Sequence, residues 1–497
     1  MSTQVVWFKK DLRIRDHRPL ADAAQRGPVI CLYVYEPHLY ADPEFHTARL
    51  RFINTCLREL DERLRKRGGR LIRRVGHVPE VLDALLRAHA IDHLWSHQET
   101  GRYATYERDE AVRDWADRHN VPWTEHPQNG VVRGLNSRDG WADRWEERHS
   151  RPIVDPPETL RTPDEVDAGE EFTPSDLDRD DPPKPEAQEG GVVRANEILD
   201  SFLEKRGKSY RSGMSSPVTA WDDCSRLSPH LTFGTLSMKQ VYQRTSARQE
   251  ELEKMKERGE QVDGDWMQSL SMFVGRLHWH CHFMQKLEDE PRIEFENLAR
   301  SYDGLREDEF DEEGFRAWKQ GETGFPMIDA CMRALHRSGW INFRMRAMLM
   351  SFSSYHLWQH WRRPGQWLAR QFLDFEPGIH WPQVQMQSGT TGINSIRIYN
   401  PTKQVHDHDP DGDFIREYVP ELQEVPGAYI AEPHKMTAAD QEKAGCEIGT
   451  DYPEPIVDGK QAWKRANERI WEVKSSEQAK QEADEIYEKH GSRRGPG

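Results

Sequence analysis

Seventeen tryptophans in 497 residues is an unusual number for a residue that is commonly among the rarest. Their ordinary use is packing of cores and interfaces; their chemical uses are stacking on flat ligands and relaying electrons. Ser225 and Ser228 flank a helix start, and Ser228-Pro229 reads as a cap followed by proline. Hydroxyls and N–H groups at such a start suit a phosphate, with a plain helix cap as the alternative. His278-x-His280-Cys281-His282 invites a metal, but on a helix only His278 and His282 share a face and no third ligand is spaced to join them. Lining of a pocket suits that cluster better, and no metal is expected. Cys31, Cys56, Cys224, Cys281, Cys331 and Cys446 show no CxxC spacing, which argues against a disulfide framework, a zinc ribbon or an iron–sulfur cluster.

Two kinds of element have to position these residues. In the first third, Val5–Phe8, Val29–Val34, Leu71–Val75, His93–Ser96 and Trp123–His126 read as short apolar strands. Helical spacing over Ala48–Arg67, Pro79–Ala90 and Arg102–Arg118 separates them, so a doubly wound parallel sheet is expected, with ligands at the carboxyl ends of its strands. No GxGxxG or P-loop follows a strand. From about Pro152 to Gly191 the chain turns rich in Pro, Gly and acid, as in a connection wrapping the surface. Thereafter the pattern is helical: Glu197–Lys205, Met238–Gln243, Trp266–Lys286, Gly314–Lys319, Pro326–Ser338, Asn342–His356, Pro364–Phe375 and one charged terminal helix over Lys460–Lys489. The fold class is therefore α/β + α: an α/β domain over 1–130, a linker over 131–195 and a helical domain over 196–497. Net charge is −16, the wrong sign for a surface coated for nucleic acid, although a local basic cleft can work within an acidic shell. The N-terminus does not read as a signal peptide and no apolar run nears the roughly 18 residues of a membrane span, so a cytoplasmic protein is expected.

Several motifs in order resemble the photolyase/cryptochrome family. Trp7-Phe8-Lys9-Lys10-Asp11-Leu12-Arg13 with Asp16 resembles the WFRxDLRxxD start. Ser225-Arg226-Leu227-Ser228-Pro229 with Gly234 resembles the flavin-phosphate loop. Trp318-Lys319-Gln320-Gly321-Glu322-Thr323-Gly324-Phe325-Pro326, then Asp329-Ala330 and Met332-Arg333, resembles the long family signature, continued by Gly339-Trp340, Arg344 and Arg346. Asp374, Arg397, Asn400-Pro401, Gln404 and Tyr452-Pro453 match further.

The resemblance implies FAD in the helical domain, held by Tyr210, Cys224, Ser225, Arg226, Leu227, Ser228, Trp279, Asn342, Arg346, Asp374 and Glu376. It implies an Arg346–Asp374 ion pair beside the flavin ring, Trp279 as a stacking platform, and Arg344, Arg397 and Lys403 on DNA phosphates. It further implies light-driven repair of UV-induced pyrimidine dimers by electron transfer, the cyclobutane type first and the (6-4) photoproduct second, in a monomer. A photoreceptor without repair activity is the alternative. A folate or deazaflavin antenna would be a second chromophore, with His46 and Glu107 near where folate ligands fall. The chain also departs from the pattern. Arg276 occupies a slot that is usually acidic, three residues before Trp279, and is carried with Trp279, His380 and Trp381 as a catalytic candidate. His380 or Trp381 falls near flavin N5, and Val384 falls where the inner tryptophan of an electron relay is expected. Trp361 matches the middle member and no outer member is evident, so either another chain of Trp and Tyr drawing on Trp358, Trp367 or Trp381 replaces the relay, or the flavin is reduced chemically in the cell.

Overall fold

The computed structural model describes residues 3–491. Five parallel strands, β1 (Thr3–Phe8), β2 (Val29–Tyr35), β3 (Leu71–Val75), β4 (Ile91–His97) and β5 (Trp123–His126), form one sheet in the order β3-β2-β1-β4-β5. Register follows the pleat: Val5 lies opposite Ile30 on one side and Leu94 on the other. Val6 and Phe8 face the helix α2 (Thr47–Arg65), which lies after α1 (Arg18–Arg26), through Phe52, Ile53, Leu57 and Leu60. Val5 and Trp7 face α3 (Val78–Ala88) and α4 (Tyr103–His119) through Leu82, Leu85, Val112 and Trp115. Alternate residues of one strand thus feed two cores, which is why the sheet is covered on both faces. The chain order reverses at β1, flanked by β2 and β4, so the ligand crevice of such a sheet lies at Lys9–Asp11 and Gln98–Thr100.

The connection is not featureless. Helix α5 (Trp141–Ser150) sets Trp141 and Trp145 against the helical domain, and residues 152–190 then run along the sheet edge with one 3-10 turn. Ala168 accepts from the Arg73 N–H at 2.7 Å and Arg161 from Val29 at 2.7 Å, so this strap satisfies edge groups of β3 and β2.

Eight helices then matter for the site: α6 (Val192–Glu204), α7 (Met238–Glu257), α8 (Trp266–Asp289), α9 (Glu312–Gln320), α10 (Pro326–Ser338), α11 (Phe343–Ser351), α12 (Arg362–Gln371) and α13 (Pro377–Ser388). After α14 (Pro401–His408), the chain closes with α15 (Gly459–Ser475) and α16 (Glu477–His490). Three expectations need correction. The terminal helix is two, because Ser476 leaves helical geometry and caps the second through the Ala479 N–H at 3.2 Å. The Asn342–His356 helix changes to a π turn at Phe352–His356. No helix was expected over 377–388, with Pro377, Gly378 and Pro382 inside, yet α13 forms there and packs on α8. Pro377 suits a first helical turn, and burial against α8 outweighs the bond that Pro382 cannot make. Gly378 permits the contact: a Cβ there would lie 2.7 Å from Met284 Cα.

The domains are locked together by buried charge. Arg49 of α2 donates to the carbonyls of Phe372, at 2.9 Å, and Ala369, capping the end of α12. Lys10, just past β1, reaches Glu376 at 3.2 Å, and Arg362 reaches Glu44 at 3.1 Å.

Candidate functional site

The helical domain brings distant motif residues into one place. Arg346, on α11, meets Asp374 with both terminal nitrogens, at 3.0 and 2.8 Å, while its Nε donates to the Ile341 carbonyl at 2.8 Å. Three donors of one guanidinium are fixed, and the carboxylate is only 3% exposed, so the pair is planar and rigid. Tyr210 is buried in a short helix beside α8, and burial pushes its hydroxyl well above the usual tyrosine range while the Arg276 charge opposes that shift. The Cys224 thiol is pushed up to about 12 by burial and senses the charges of Arg226 and Arg346.

The phosphate loop differs from its sequence expectation in one respect. Ser228 is the first residue of a five-residue helix rather than its cap; Leu227 holds the cap position, and no side chain caps the helix. The Ser225 Oγ instead accepts from the Leu227 N–H at 3.4 Å, a weak bond. Arg226 between them takes a left-handed backbone, φ +59°, a strained conformation for a residue with a side chain. Its guanidinium lies 4.5 Å from the Trp221 ring centroid and 4.0 Å from that of Trp340. Burial pushes Arg226 down to about 10. Trp221 was not singled out from the sequence; the Gly339-Trp340 motif was the available signal.

On α8, Arg276, Trp279, His280 and Phe283 recur at helical spacing and share a face. Trp279 is 39% exposed, whereas Trp318, Trp340, Trp358, Trp361 and Trp381 are buried; Trp463 and Trp471 of α15 are exposed as well. Asn342 donates to the carbonyls of Met214 and Ser215 at 3.1 and 2.9 Å. Around the site several buried polar atoms have no hydrogen-bond partner: Arg226 Nε, His280 Nδ1, Asn342 Oδ1, Arg344 Nε and Gln404 Oε1. Native interiors keep such atoms few, so this collection fits a polar ligand that completes it. Cations and amide groups suit a pyrophosphate and ribityl chain, and the Trp221–Trp340 faces suit flat rings; these residues fit FAD.

The remaining candidates are placed as follows. His380 Nε2 bonds the Gly365 carbonyl at 2.9 Å, and burial pushes this ring down to about 3. Trp381 is fully buried with its ring centroid 5.9 Å from that of Trp361, whose Nε1 donates to Asn297 at 2.6 Å. Trp358 lies instead between Arg306 and Arg469, and Trp367 beside Lys319, so among the three alternatives Trp381 is the one in ring contact with Trp361. Glu376, at the start of α13, is pushed up by burial and holds Lys10. Arg344 and Lys403 lie near Asp407; Lys403 is paired with it at 2.8 Å, and Arg397 is exposed. The three charges form a loose rim rather than a patch.

In the α/β domain His46 is buried and caps its own helix through the Ala48 N–H at 3.1 Å, while Glu107 is exposed, so they do not share a pocket. Among the described residues the one three-ligand grouping is Asp11, His17 and His97, not the α8 histidines. Leu20 N–H occupies His17 Nδ1, which leaves the proton on Nε2, 2.9 Å from Asp11, and His97 Nδ1 donates to the same carboxylate at 2.7 Å. Burial opposes ionisation of Asp11, yet the two histidines hold its carboxyl well below the usual range. This is a hydrogen-bonded anchor at the sheet's switch point. Among the described residues no helix is long and apolar enough to cross a membrane.

Comparison with known proteins agrees with this geometry. Residues 4–135 match the DNA photolyase family, and residues 273–472 match the FAD binding domain of DNA photolyase. A deoxyribodipyrimidine photo-lyase of Streptomyces griseus is 32% identical, covering 92% of this chain and 97% of its own. Cryptochrome DASH of Gloeobacter violaceus is 27% identical, covering 94% and 95%. A bacterial class III photolyase from Agrobacterium tumefaciens has the same fold, with a TM-score of 0.84 at 28% identity, covering 96% and 98%. With its sheet domain, its FAD-binding helical domain and relatives that span nearly its whole length, the chain belongs to the photolyase/cryptochrome family.

Proposed function

We propose that the protein repairs UV-induced pyrimidine dimers in DNA, using light absorbed by FAD bound among α8, α11 and α13. The observation that supports this reading is the two-pronged Arg346–Asp374 pair on α11, together with an exposed Trp279 on α8, both helices packing on α13. Bound there, FAD supplies light absorption and a reversible one-electron donation. The chain's own part is placement. Arg346 presents a fixed positive charge, which favours an electron-rich ring. Trp279 offers a flat face to a flipped pyrimidine pair, and a damaged pair costs less to extract than an intact one. Arg344 and Arg397 engage phosphates.

The cyclobutane dimer is favoured over the (6-4) photoproduct. A histidine acting as general acid must hold a proton near neutral pH, whereas burial pushes His280 down to about 4 and His380 to about 3. The photoreceptor reading draws on the cryptochrome relatives and on Arg276 in place of an acid. Reduced protein is incubated with oligonucleotides carrying either lesion, in blue light and in darkness. Light-dependent loss of the cyclobutane lesion supports the proposal; flavin-loaded protein that leaves both lesions intact transfers the function to photoreception.

Two further assignments follow. Trp381 and Trp361 form the reduction route in place of Val384, so Trp361→Phe slows photoreduction of the bound flavin without changing repair by chemically reduced protein. An antenna chromophore would stack beside Tyr103 of α4 and Phe295 of the helical domain, two rings each about half exposed and in edge contact at 5.9 Å. The switch-point crevice is already filled by Lys9, Arg108, Glu36, Glu99 and Asp109.

A further inference from the structure

The neighbouring strands β2 and β3 leave the sheet together. They pair as far as Tyr35 opposite Val75, and the Gly76 N–H still donates to the Tyr35 carbonyl at 3.0 Å. The residues that follow therefore emerge side by side at the carboxyl edge, where parallel sheets take their ligands. They include Glu36 and His38 after β2 and His77 after β3. His38 lies in a short helical turn, Pro37–Tyr40, and His77 precedes α3 without capping it through its side chain.

The two imidazoles stack, with ring centroids 4.1 Å apart and planes 25° apart. Stacked histidines on a surface are not in themselves a site; Glu36 supplies the second observation. This residue is only 6% exposed, and its Oε2 meets Arg108 at 3.1 Å, whereas its buried Oε1 has no hydrogen-bond partner. His38 Nε2 stands 3.9 Å from that same Oε1. The separation is too long for a hydrogen bond, yet a nitrogen and an oxygen bound at about 2.1 Å to one ion stand roughly 3–4 Å apart. A buried acceptor left open is costly, and a cation shared with the imidazoles satisfies it. Arg108 and Arg102 stand near His38, but Arg108 is matched by Glu36, Glu99 and Asp109, and Arg102 by Asp42. The set is wider than Asp11, His17 and His97, which close on one another by hydrogen bonding.

We propose that Glu36, His38 and His77 bind one divalent transition-metal cation of the zinc class, which clips the end of β2 to the approach to α3. Two imidazole nitrogens and one carboxylate oxygen are donors that Zn2+, Ni2+ and Cu2+ accept, whereas Mg2+ and Ca2+ take oxygen. Both histidines are exposed, so the ion enters from solvent and the rings turn toward it without disturbing the core. Water completes the coordination. The site is independent of the flavin and of DNA repair.

The test is calorimetric titration of Zn2+ into full-length, flavin-loaded protein that has been stripped with a chelator. One equivalent is expected to bind more tightly than any further uptake. His38→Ala and His77→Ala are each expected to weaken that binding at least about tenfold, since losing even a group that supports a metal ligand costs as much. Both variants should keep the flavin content and the metal-free urea midpoint of wild type, because the rings they remove are exposed. Added Zn2+ should raise the midpoint of wild type and not of the variants. His119→Ala, which removes another exposed histidine of the same domain, should bind as wild type does. The site is overturned if stripped wild type takes up no Zn2+, if either of the two histidine variants binds as tightly as wild type, or if His119→Ala loses as much as they do.

Discussion

The crevice at the end of the parallel sheet and the cavity of the helical domain are both polar and buried, yet they are finished in opposite ways. In the sheet domain, Arg108 alone meets Glu36 at 3.1 Å, Glu99 at 2.7 Å and Asp109 at 2.8 Å, and Lys9 meets Asp109 at 3.1 Å. Cations there are paired with carboxylates, although Glu36 Oε1 and Glu125 Oε1 lack a hydrogen bond. In the helical domain, Arg226, His280, Asn342 and Arg344 keep unpartnered polar atoms, and Trp279 stays open. A buried group without a partner is costly, so such a collection persists where a ligand completes it. The contrast is between a crevice closed by carboxylate–cation pairs and a region whose unpartnered groups are donors and amides.

The sharpest way to break this comparison is to remove one central charge from each side. Arg108→Ala strands three buried carboxylates and is expected to lower folding stability by about 3–5 kcal/mol, read as a fall in denaturation midpoint, with the flavin complement of the surviving folded protein unchanged. Asp374→Ala is expected to cost flavin retention foremost, read as the flavin-to-protein absorbance ratio and as lost light-driven repair. If the two variants gave the same phenotype, the division of labour would not stand.

Next in size, Trp279→Ala is expected to weaken binding of a dimer-carrying strand in darkness by roughly 1–3 kcal/mol, about 5- to 150-fold. Acid titration acts on both regions. Burial pushes His97 and His230 down to about 3, His280 to about 4 and His380 to about 3. The unfolded chain binds protons on these rings near pH 6.5 while the folded chain does not, so stability is lost as pH falls from about 6.5 toward 4. Each ring contributes up to about 1.4 kcal/mol per pH unit in that window. Urea midpoints at pH 7.5 and 5.5 check this; equal midpoints would mean that the rings are protonated in place. The smallest effect belongs to Lys403→Ala. Its ammonium is 67% exposed and already paired with Asp407, so DNA affinity should change less than about twofold and the salt slope by less than one.

The strands were legible as short apolar runs separated by helical spacing, as at Val5–Phe8, which is buried on both faces of the sheet. Leu71–Val75, Trp123–His126 and Pro326–Ser338 have the bounds that periodicity suggested. Helix α13 was illegible for a local reason, its prolines and glycine, which packing on α8 overrides. The break at Ser476 carried a cap signal inside a long charged stretch that hid it.

For the site, residue types and order were enough to specify the family, a buried flavin and the Arg346–Asp374 pair, since these depend on which groups are present. Tertiary structure alone decided which tryptophan meets Trp361, where His380 spends its hydrogen bond, and that Lys10 and Arg49 reach across from the sheet domain. These are questions of direction and distance between segments hundreds of residues apart. A spacing along the chain fixes neighbours within one helix or strand, whereas the partner across a cavity is set by how whole elements pack.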